Sequence, residues 1–163
     1  MENLWAPWRM DYIEPQIPQR QGCIFCTLPA EQRDAENHIL YRGEHCFMML
    51  NRYPYNNGHL MVAPFAHVGS LDLLEAATLA EMMALAQLAL RAINQAMNPD
   101  GYNMGINQGK VAGAGFAGHL HLHVVPRWDG DTNFMPVLAD VKVIPQHLDS
   151  VYQQLKKAIE AVM

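Results

Sequence analysis

The chain has 163 residues, half of them hydrophobic, and a formal net charge of −5 at pH 7. This length is enough to bury one sizeable core, so a single domain is expected. The acidic balance argues against broad electrostatic binding to nucleic acid or to an anionic membrane, since both need an extended basic face. Neither partner is expected, whereas a small polyphosphate needs only a local anion site.

The first residues carry neither the basic start nor the apolar run of a secretory signal, and the longest apolar segment is interrupted by Glu81 and Arg91. We therefore expect a soluble protein without a membrane span. The three cysteines are too few for a disulfide framework. A reducing, cytoplasmic location is expected, where a pair of thiols more often holds metal or does redox work.

The elements are predicted in chain order. Residues 1–22 hold prolines and aromatics without a period, which indicates an extended arm, and residues 23–163 are predicted as one domain. A polar stretch at 31–37 favours a short surface helix or loop. Apolar runs between turn residues predict strands at 45–50, 58–64, 102–107 and 119–126, and apolar residues at helical spacing predict helices at 75–98 and 145–163. The apolar stripe of the long helix comprises Leu79, Met82, Met83, Ala86, Leu90, Ile93 and Met97.

The sequence HLHLHVV at 119–125 alternates histidine with apolar residues. Alternate side chains of a strand point to opposite faces, so the three imidazoles are predicted on one face and the apolar side chains on the other. Neighbouring imidazoles on that face start about 7 Å apart at their α-carbons, close enough for two to touch one phosphate. The alternatives are a solvated polar face and a catalytic metal held by the imidazoles, although the strand lacks the carboxylate that such a site usually adds.

The alternating histidines resemble the motif of the histidine-triad (HIT) superfamily of nucleotide hydrolases and transferases. The segments LWAPWR at 4–9, NRYPYNNGHLMVAP at 51–64 and PRW at 126–128 resemble its diadenosine tetraphosphate phosphorylase branch. The resemblance covers nearly the whole chain. It implies an α+β fold, with a HIT-like antiparallel sheet of about five strands, one long central helix, a C-terminal helix and pairing into a homodimer.

The resemblance also implies roles for three histidines. His121 is the expected nucleophile, forming a nucleotidyl-histidine, while His123 assists the leaving group with a hydrogen bond or a proton and His59 supports the triad. A neutral imidazole is in any case an available nucleophile near pH 7. Because polyphosphate leaves readily, no catalytic cofactor is expected.

Further residues are assigned to the substrate. By the resemblance Asn51 contacts ribose, Gln108, beside Asn107 at the start of the glycine-rich loop 109–118, contacts phosphate, and Trp128 matches the phosphorylase ending. Loop glycines expose backbone N–H groups, so Gly113 and Gly115 are predicted to cradle phosphate. Gly115 stands where that branch carries serine. A turn-forming asparagine, an exposed amide and a simply flexible loop are the alternatives.

The pair Cys23 and Cys26, two residues apart, is compatible with zinc, with redox chemistry or with no special role. By the resemblance to zinc-bearing members, these cysteines join His67 and His119 as ligands. Two thiolates and two imidazoles suit a closed structural zinc site. Cys46, inside a predicted strand, is expected to be a small buried hydrophobe.

The expected partners are a nucleotide or dinucleoside polyphosphate and phosphate. The favoured reaction cleaves a diadenosine polyphosphate through adenylylated His121, with phosphate as the acceptor. Water as the acceptor, a nucleotide-binding module without turnover and a metal-dependent hydrolase remain alternatives.

Overall fold

The structure is a computed structural model that describes residues 22–133 and 143–163. Nearly all of the predicted arm at 1–22 lies outside them. Five strands form one antiparallel sheet in the order β1-β2-β3-β5-β4, which confirms the α+β architecture. The elements are α1 (Ile24–Ala30), β1 (Ile39–Arg42), β2 (Cys46–Leu50), β3 (Leu60–Pro64), α2 (Ala76–Met97), β4 (Gly101–Ile106), β5 (Leu122–Arg127) and α3 (Leu148–Val162).

Two local predictions need correction. Strand β5 begins at Leu122, so His119 and His121 precede it. The reason is that the N–H of Leu120 donates to the carbonyl of Val68 in a neighbouring loop, 2.6 Å away, rather than to a strand. The second correction concerns two elements that were not predicted, helix α1 and strand β1, whereas the short helix or loop expected at 31–37 is a series of turns. Helix α1 begins where the N–H groups of Cys26 and Thr27 donate to the carbonyl of Cys23.

The sheet is covered on both faces, and alternate residues of its strands serve different cores. One core lies between the sheet and helices α2 and α3, and the other lies against α1. The first core takes Met48, Leu50, Leu60, Val62, Leu122 and Val124 from the sheet. The second takes Ile39, Phe47, Met49, Met61 and Ala63. Period-two alternation therefore separates the two faces, as the pleat of a strand requires.

Helix α2 is long and apolar enough to cross a membrane, a property that it shares with core helices of soluble proteins. Its inner side is buried against the sheet, including Met82, Ala86 and Ile93 of the predicted stripe. Leu79 and Met83, expected in that stripe, are instead 38% and 49% exposed. The exposed pair lies on the outer side of the helix in this single chain.

Candidate active site and metal centre

The triad histidines are buried on the face that α1 covers. The rings of His121 and His123 lie 4.8 Å apart between centroids. Phe25 of α1 stacks on His121 with centroids 4.6 Å apart, and its centroid lies 5.2 Å from that of His119. Leu120 belongs to the opposite core. Helix α1 thus forms an apolar lid over the imidazoles.

The hydrogen bond of His121 fixes which ring nitrogen carries its proton. Its Nδ1 lies 2.9 Å from the carbonyl oxygen of His119, and a carbonyl only accepts, so Nδ1 donates. Burial lowers the pKa of His121, while this hydrogen bond opposes the shift. The ring is therefore neutral, with its lone pair on Nε2, as a nucleophile requires.

A second chain of hydrogen bonds orients His123. The backbone N–H of Tyr55 donates to Nδ1 of His59 over 3.0 Å, so His59 carries its proton on Nε2. That Nε2 lies 2.9 Å from Nδ1 of His123 and donates to it. With Nδ1 accepting, neutral His123 carries its proton on Nε2, where it is a donor. The family resemblance predicted that His59 supports the triad, but it did not predict which ring nitrogens of His59 and His123 carry the protons.

Asn51 lies beside this chain. Its Nδ2 is 3.4 Å from Nδ1 of His59, and its Oδ1 accepts the N–H of Tyr53 over 2.9 Å. The ring of Tyr55 stacks on His123 with centroids 5.6 Å apart. Sequence reasoning missed Tyr55 and Phe25 as parts of the site. Two features of the sequence could have identified them: an aromatic residue four positions before His59, and an aromatic residue between Cys23 and Cys26.

The glycine-rich loop arches toward His119. Its single 3-10 turn, Lys110–Ala112, is bounded by glycines with positive φ, including Gly113 at 86°. A cavity of about 340 Å³ beside the loop is lined by Lys110, Gly115 and Gly118, together with Cys23, His67 and His119. Gly113 is exposed and does not line it. The cavity therefore adjoins His119 and its cysteine neighbours rather than His121.

The other predicted substrate residues lie at the borders of the site. The amide of Gln108 is held by a neighbouring loop, because its Oε1 accepts the N–H of Leu71 and its Nε2 donates to Ser70, each over 2.9 Å. Asn107 is half-buried next to it. Trp128 is half-buried, and its N–H donates to Asp131.

Four side chains meet at a second centre. One ligand atom from each of Cys23, Cys26, His67 and His119 lies within 4.8 Å of the others. Nδ1 of His67 is 3.3 Å from both Sγ of Cys26 and Nδ1 of His119. A tetrahedral zinc ion with ordinary bond lengths places such atoms about 3.3–3.8 Å apart. The cluster therefore fits a metal ion.

The protonation of these groups suits a metal as well. Nε2 of His119 donates to the carbonyl of Pro64 over 2.9 Å, so its Nδ1 faces the cysteines as a lone pair. Burial lowers the pKa of His119 and, with the adjacent Cys23 sulfur, raises the pKa of Cys26. The raised pKa favours a protonated Cys26 thiol when no cation is present, and a metal ion bound there would stabilise the thiolate form. The set matches the ligands that the resemblance implied.

Close backbone packing holds the metal centre against the triad. A Cβ on Gly69 would lie 2.9 Å from the carbonyl oxygen of Ala117, so only glycine lets the loop after His67 contact the loop before His119. The bond between Leu120 and Val68 runs alongside. The loop that carries the metal ligand His67 is therefore packed directly against the segment that leads into the triad.

The HIT domain family matches residues 32–130. A relative described as AP-4-A phosphorylase, from Mycobacterium tuberculosis, is 41% identical over 155 residues, which cover 91% of this chain and 79% of that protein. A Zn-bound histidine triad family protein from Mycobacterium smegmatis has a TM-score of 0.70 at 30% identity, with 86% of this chain and 95% of that chain covered. A histidine triad nucleotide-binding protein from Sulfolobus tokodaii has a TM-score of 0.71 at 26% identity, with 86% and 93% covered.

Proposed function

The chain belongs to the HIT domain family and is a nucleotide-processing enzyme, and we propose that it cleaves dinucleoside polyphosphates by phosphorolysis. The favoured substrate is diadenosine tetraphosphate, and the products are ADP and ATP. The observation that carries the proposal is the 2.9 Å bond from Nδ1 of His121 to the His119 carbonyl, which leaves Nε2 as a buried, oriented nucleophile. The similarity to an AP-4-A phosphorylase supports the choice of substrate.

The reaction has two displacements at one phosphorus atom. Nε2 of His121 attacks the α-phosphorus of one adenosine, a P–N bond forms, and the P–O bond to the departing ATP breaks. An oxygen of inorganic phosphate then attacks the same phosphorus, the P–N bond breaks, and ADP is released. His121 returns to its neutral form with Nδ1 still donating to the carbonyl of His119.

His123 acts on the leaving group. The hydrogen-bond chain from Tyr55 through His59 leaves the Nε2 proton of His123 as a donor beside His121. That proton stabilises the oxygen that departs from phosphorus, as a general acid does. His59 does not contact the reacting atoms in this scheme and acts as a positioning residue.

The remaining predicted residues are assigned to parts of the substrate. Asn51 binds a ribose, and the N–H groups of Gly113 and Gly115 in the glycine-rich loop bind phosphate oxygens. Asn107, Gln108 and Trp128 complete the border of this site. Gln108 reaches phosphate only after its amide leaves Ser70 and Leu71, so substrate binding competes with those two hydrogen bonds.

The metal centre is proposed to hold structural zinc. Two thiolates and two imidazoles form a closed set, which leaves no open coordination position for substrate. Cys23 and Cys26 would hold the ion as thiolates, and zinc bound there would offset their charge and link α1 to the segment that begins with His119. Because the ligand thiols must stay reduced, we place the protein in a reducing, cytoplasmic compartment.

We further propose a homodimer. Strand β4 is an edge strand whose residues 103–105 are exposed, and Met104 is 41% exposed. Tyr102 of β4 donates a hydrogen bond to Asn94 of α2, so this edge runs beside a helix that also exposes Leu79 and Met83. Among the described residues, an exposed edge strand and exposed apolar side chains on the adjoining helix are typical of a surface that pairs with another chain.

Product analysis tests the function. Incubation of the zinc-loaded protein with diadenosine tetraphosphate and phosphate is expected to give ADP and ATP, and omission of phosphate is expected to stop the reaction. Formation of AMP and ATP without phosphate would establish hydrolysis instead. Binding without any product would identify a nucleotide-binding module, and immediate loss of activity with a chelator would favour a metal-dependent hydrolase.

A further inference from the structure

A second cavity lies between the loop that follows β2 and the first turn of α3, and His59 is among its lining residues, whereas His121 and His123 are not. Its volume is about 190 Å³, and it is half open to solvent. Most of its wall is apolar and comes from Leu50, Pro54, Ile144, Leu148 and Val151. Leu50 and Val151 belong to the core on the helix-covered face of the sheet. An apolar cavity of about 150 Å³ accepts a benzene-sized ring, so this one accepts a planar ring system.

Asn57, which lines this cavity, has one polar atom without a hydrogen-bond partner. Asn57 is only 8% exposed, and its Nδ2 donates to Gln146 over 2.6 Å. Its Oδ1 is buried without a hydrogen-bond partner, the one such side-chain atom among residues 22–133 and 143–163. A buried acceptor without a donor is destabilising and is rare in native proteins. A ligand that supplies an N–H would satisfy it.

The rim of the cavity carries a positive charge. Arg52 lines the cavity and is exposed, and within the described part of the chain no carboxylate pairs with it. By contrast Arg42 and Arg127 each bind an aspartate. The interior does not suit a bare anion, because its wall is mostly apolar and one of the two amide N–H groups of Asn57 already donates to Gln146. The chemistry fits an apolar ring with an N–H donor inside and an anionic group at the rim.

We propose that this cavity binds the amino-substituted heteroaromatic base of a nucleotide, with the amino group donating to Oδ1 of Asn57 and the phosphate facing Arg52. The proposal rests on the proposed function in one respect, since a dinucleoside polyphosphate carries two bases and the site at Asn51 accommodates one nucleoside. The base comes either from the second nucleoside of the substrate or from a separate adenine nucleotide. The cavity loop also carries Tyr55, so its occupant adjoins the segment that orients His59.

Methyl-labelled NMR on the full chain tests the binding, with adenosine as the probe. The methyl signals of Leu50, Ile144 and Val151 report the cavity, and the ring signals of His121 report the active site. Both sets are expected to shift, each with its own dissociation constant. Purine riboside, which lacks the amino group, is expected to bind the cavity about tenfold more weakly.

Variants make the assignment specific. Asn57→Leu, similar in shape but without the acceptor, is expected to abolish the methyl shifts and leave those of His121 unchanged. Its melting temperature checks the fold. Arg52→Gln, with AMP as the probe, is expected to weaken cavity binding severalfold, whereas Lys157→Gln on α3 is the matched control without effect. Cavity methyls that do not respond to millimolar adenosine, or a normal response in Asn57→Leu, would overturn the proposal.

Kinetics separate the two sources of the base. If the cavity takes the second nucleoside, Asn57→Leu raises KM for diadenosine tetraphosphate and spares KM for an adenylyl ester with one base. If it takes a separate nucleotide, both KM values are spared while AMP still shifts the cavity methyls. Cavity binding without any cleavage by the unmodified protein would refute the proposed function alone, and cleavage without cavity binding would refute this inference alone.

Discussion

Nε2 of His59 lies 2.9 Å from Nδ1 of His123, although 64 positions separate the two residues in the chain. The amide of Tyr55 fixes the proton of His59 on the side that faces His123. A backbone N–H two hydrogen bonds away therefore orients His123, the proposed leaving-group donor. In the proposed mechanism, the residues that contact the reacting atoms are distinct from those that hold them.

Replacement of His59 tests that arrangement. His59→Leu is expected to lower kcat about 10²-fold with little change in KM, because His123 loses its oriented donor. His59→Gln is expected to recover part of the rate, since its amide both accepts from Tyr55 and donates to His123. Steady-state kinetics with the two variants measure the difference, and equal loss in both would leave His59 a purely structural role.

Replacement of His121 tests the nucleophile. His121→Ala is expected to lower kcat by a factor on the order of 10⁴, because no other group can form the P–N bond. Quenching of the unmodified enzyme in alkaline denaturant during turnover, which preserves a P–N bond, followed by mass spectrometry, is expected to show one adenylyl group on His121. Turnover in His121→Ala close to that of the unmodified enzyme would contradict the covalent mechanism.

Metal analysis tests the cysteine and histidine cluster. The purified chain is expected to hold zinc in a one-to-one ratio, and Cys26→Ser is expected to lose the metal and melt at a lower temperature. Cys46→Ala is the matched control, because burial raises the pKa of Cys46 to about 12 and keeps that thiol protonated. A chelator is expected to reduce activity slowly, in parallel with unfolding.

We expect the turn after β5 to make the free energy of unfolding sensitive to acid. Asp131 accepts hydrogen bonds from Arg127, Asn56 and the amide of Trp128, and the bond from Arg127 is the main reason that its pKa lies far below the ordinary value. The unfolded chain therefore takes up this proton first, so the stabilisation is complete above about pH 4 and is lost as the pH falls toward the folded pKa. Asp131→Asn is expected to lower the free energy of unfolding at pH 7 by about 1–3 kcal/mol.

The dependence of the free energy of unfolding on pH below 7 provides the corresponding measurement. In urea unfolding followed from pH 7 to pH 2, Asp131→Asn is expected to show a shallower loss of stability than the unmodified chain. Asp129→Asn, an exposed aspartate in the same turn, is the control and is expected to keep the original slope. Identical slopes for Asp131→Asn and the unmodified chain would exclude this account.

The exposed methionines test the dimer. Met83→Glu together with Met104→Glu is expected to shift the sedimentation coefficient from dimer to monomer, because burial of two charges at an apolar interface is unfavourable. Lys157→Glu on α3 is the control. A monomeric unmodified chain at micromolar concentration would refute the proposed pairing.

The sequence by itself determined the features that depend on local periodicity. Alternation at 119–125 placed the imidazoles opposite Leu120 and Leu122, and helical spacing located α2 and α3 within a few residues. The family resemblance named Cys23, Cys26, His67 and His119 together, and the fold brings these four side chains into one cluster. The periodic features were predictable because the side-chain period of a strand or of a helix does not depend on the rest of the fold.

Only the tertiary structure decided the rest. The N–H of Leu120 bonds to a loop, so β5 begins only at Leu122, and the exposed amide of Gln108 is hydrogen-bonded to Ser70 and Leu71. The proton positions on His59 and His123 and the unmet acceptor of Asn57 depend on partners far along the chain. No local pattern encodes them, because the packing of separate loops decides which donors and acceptors meet.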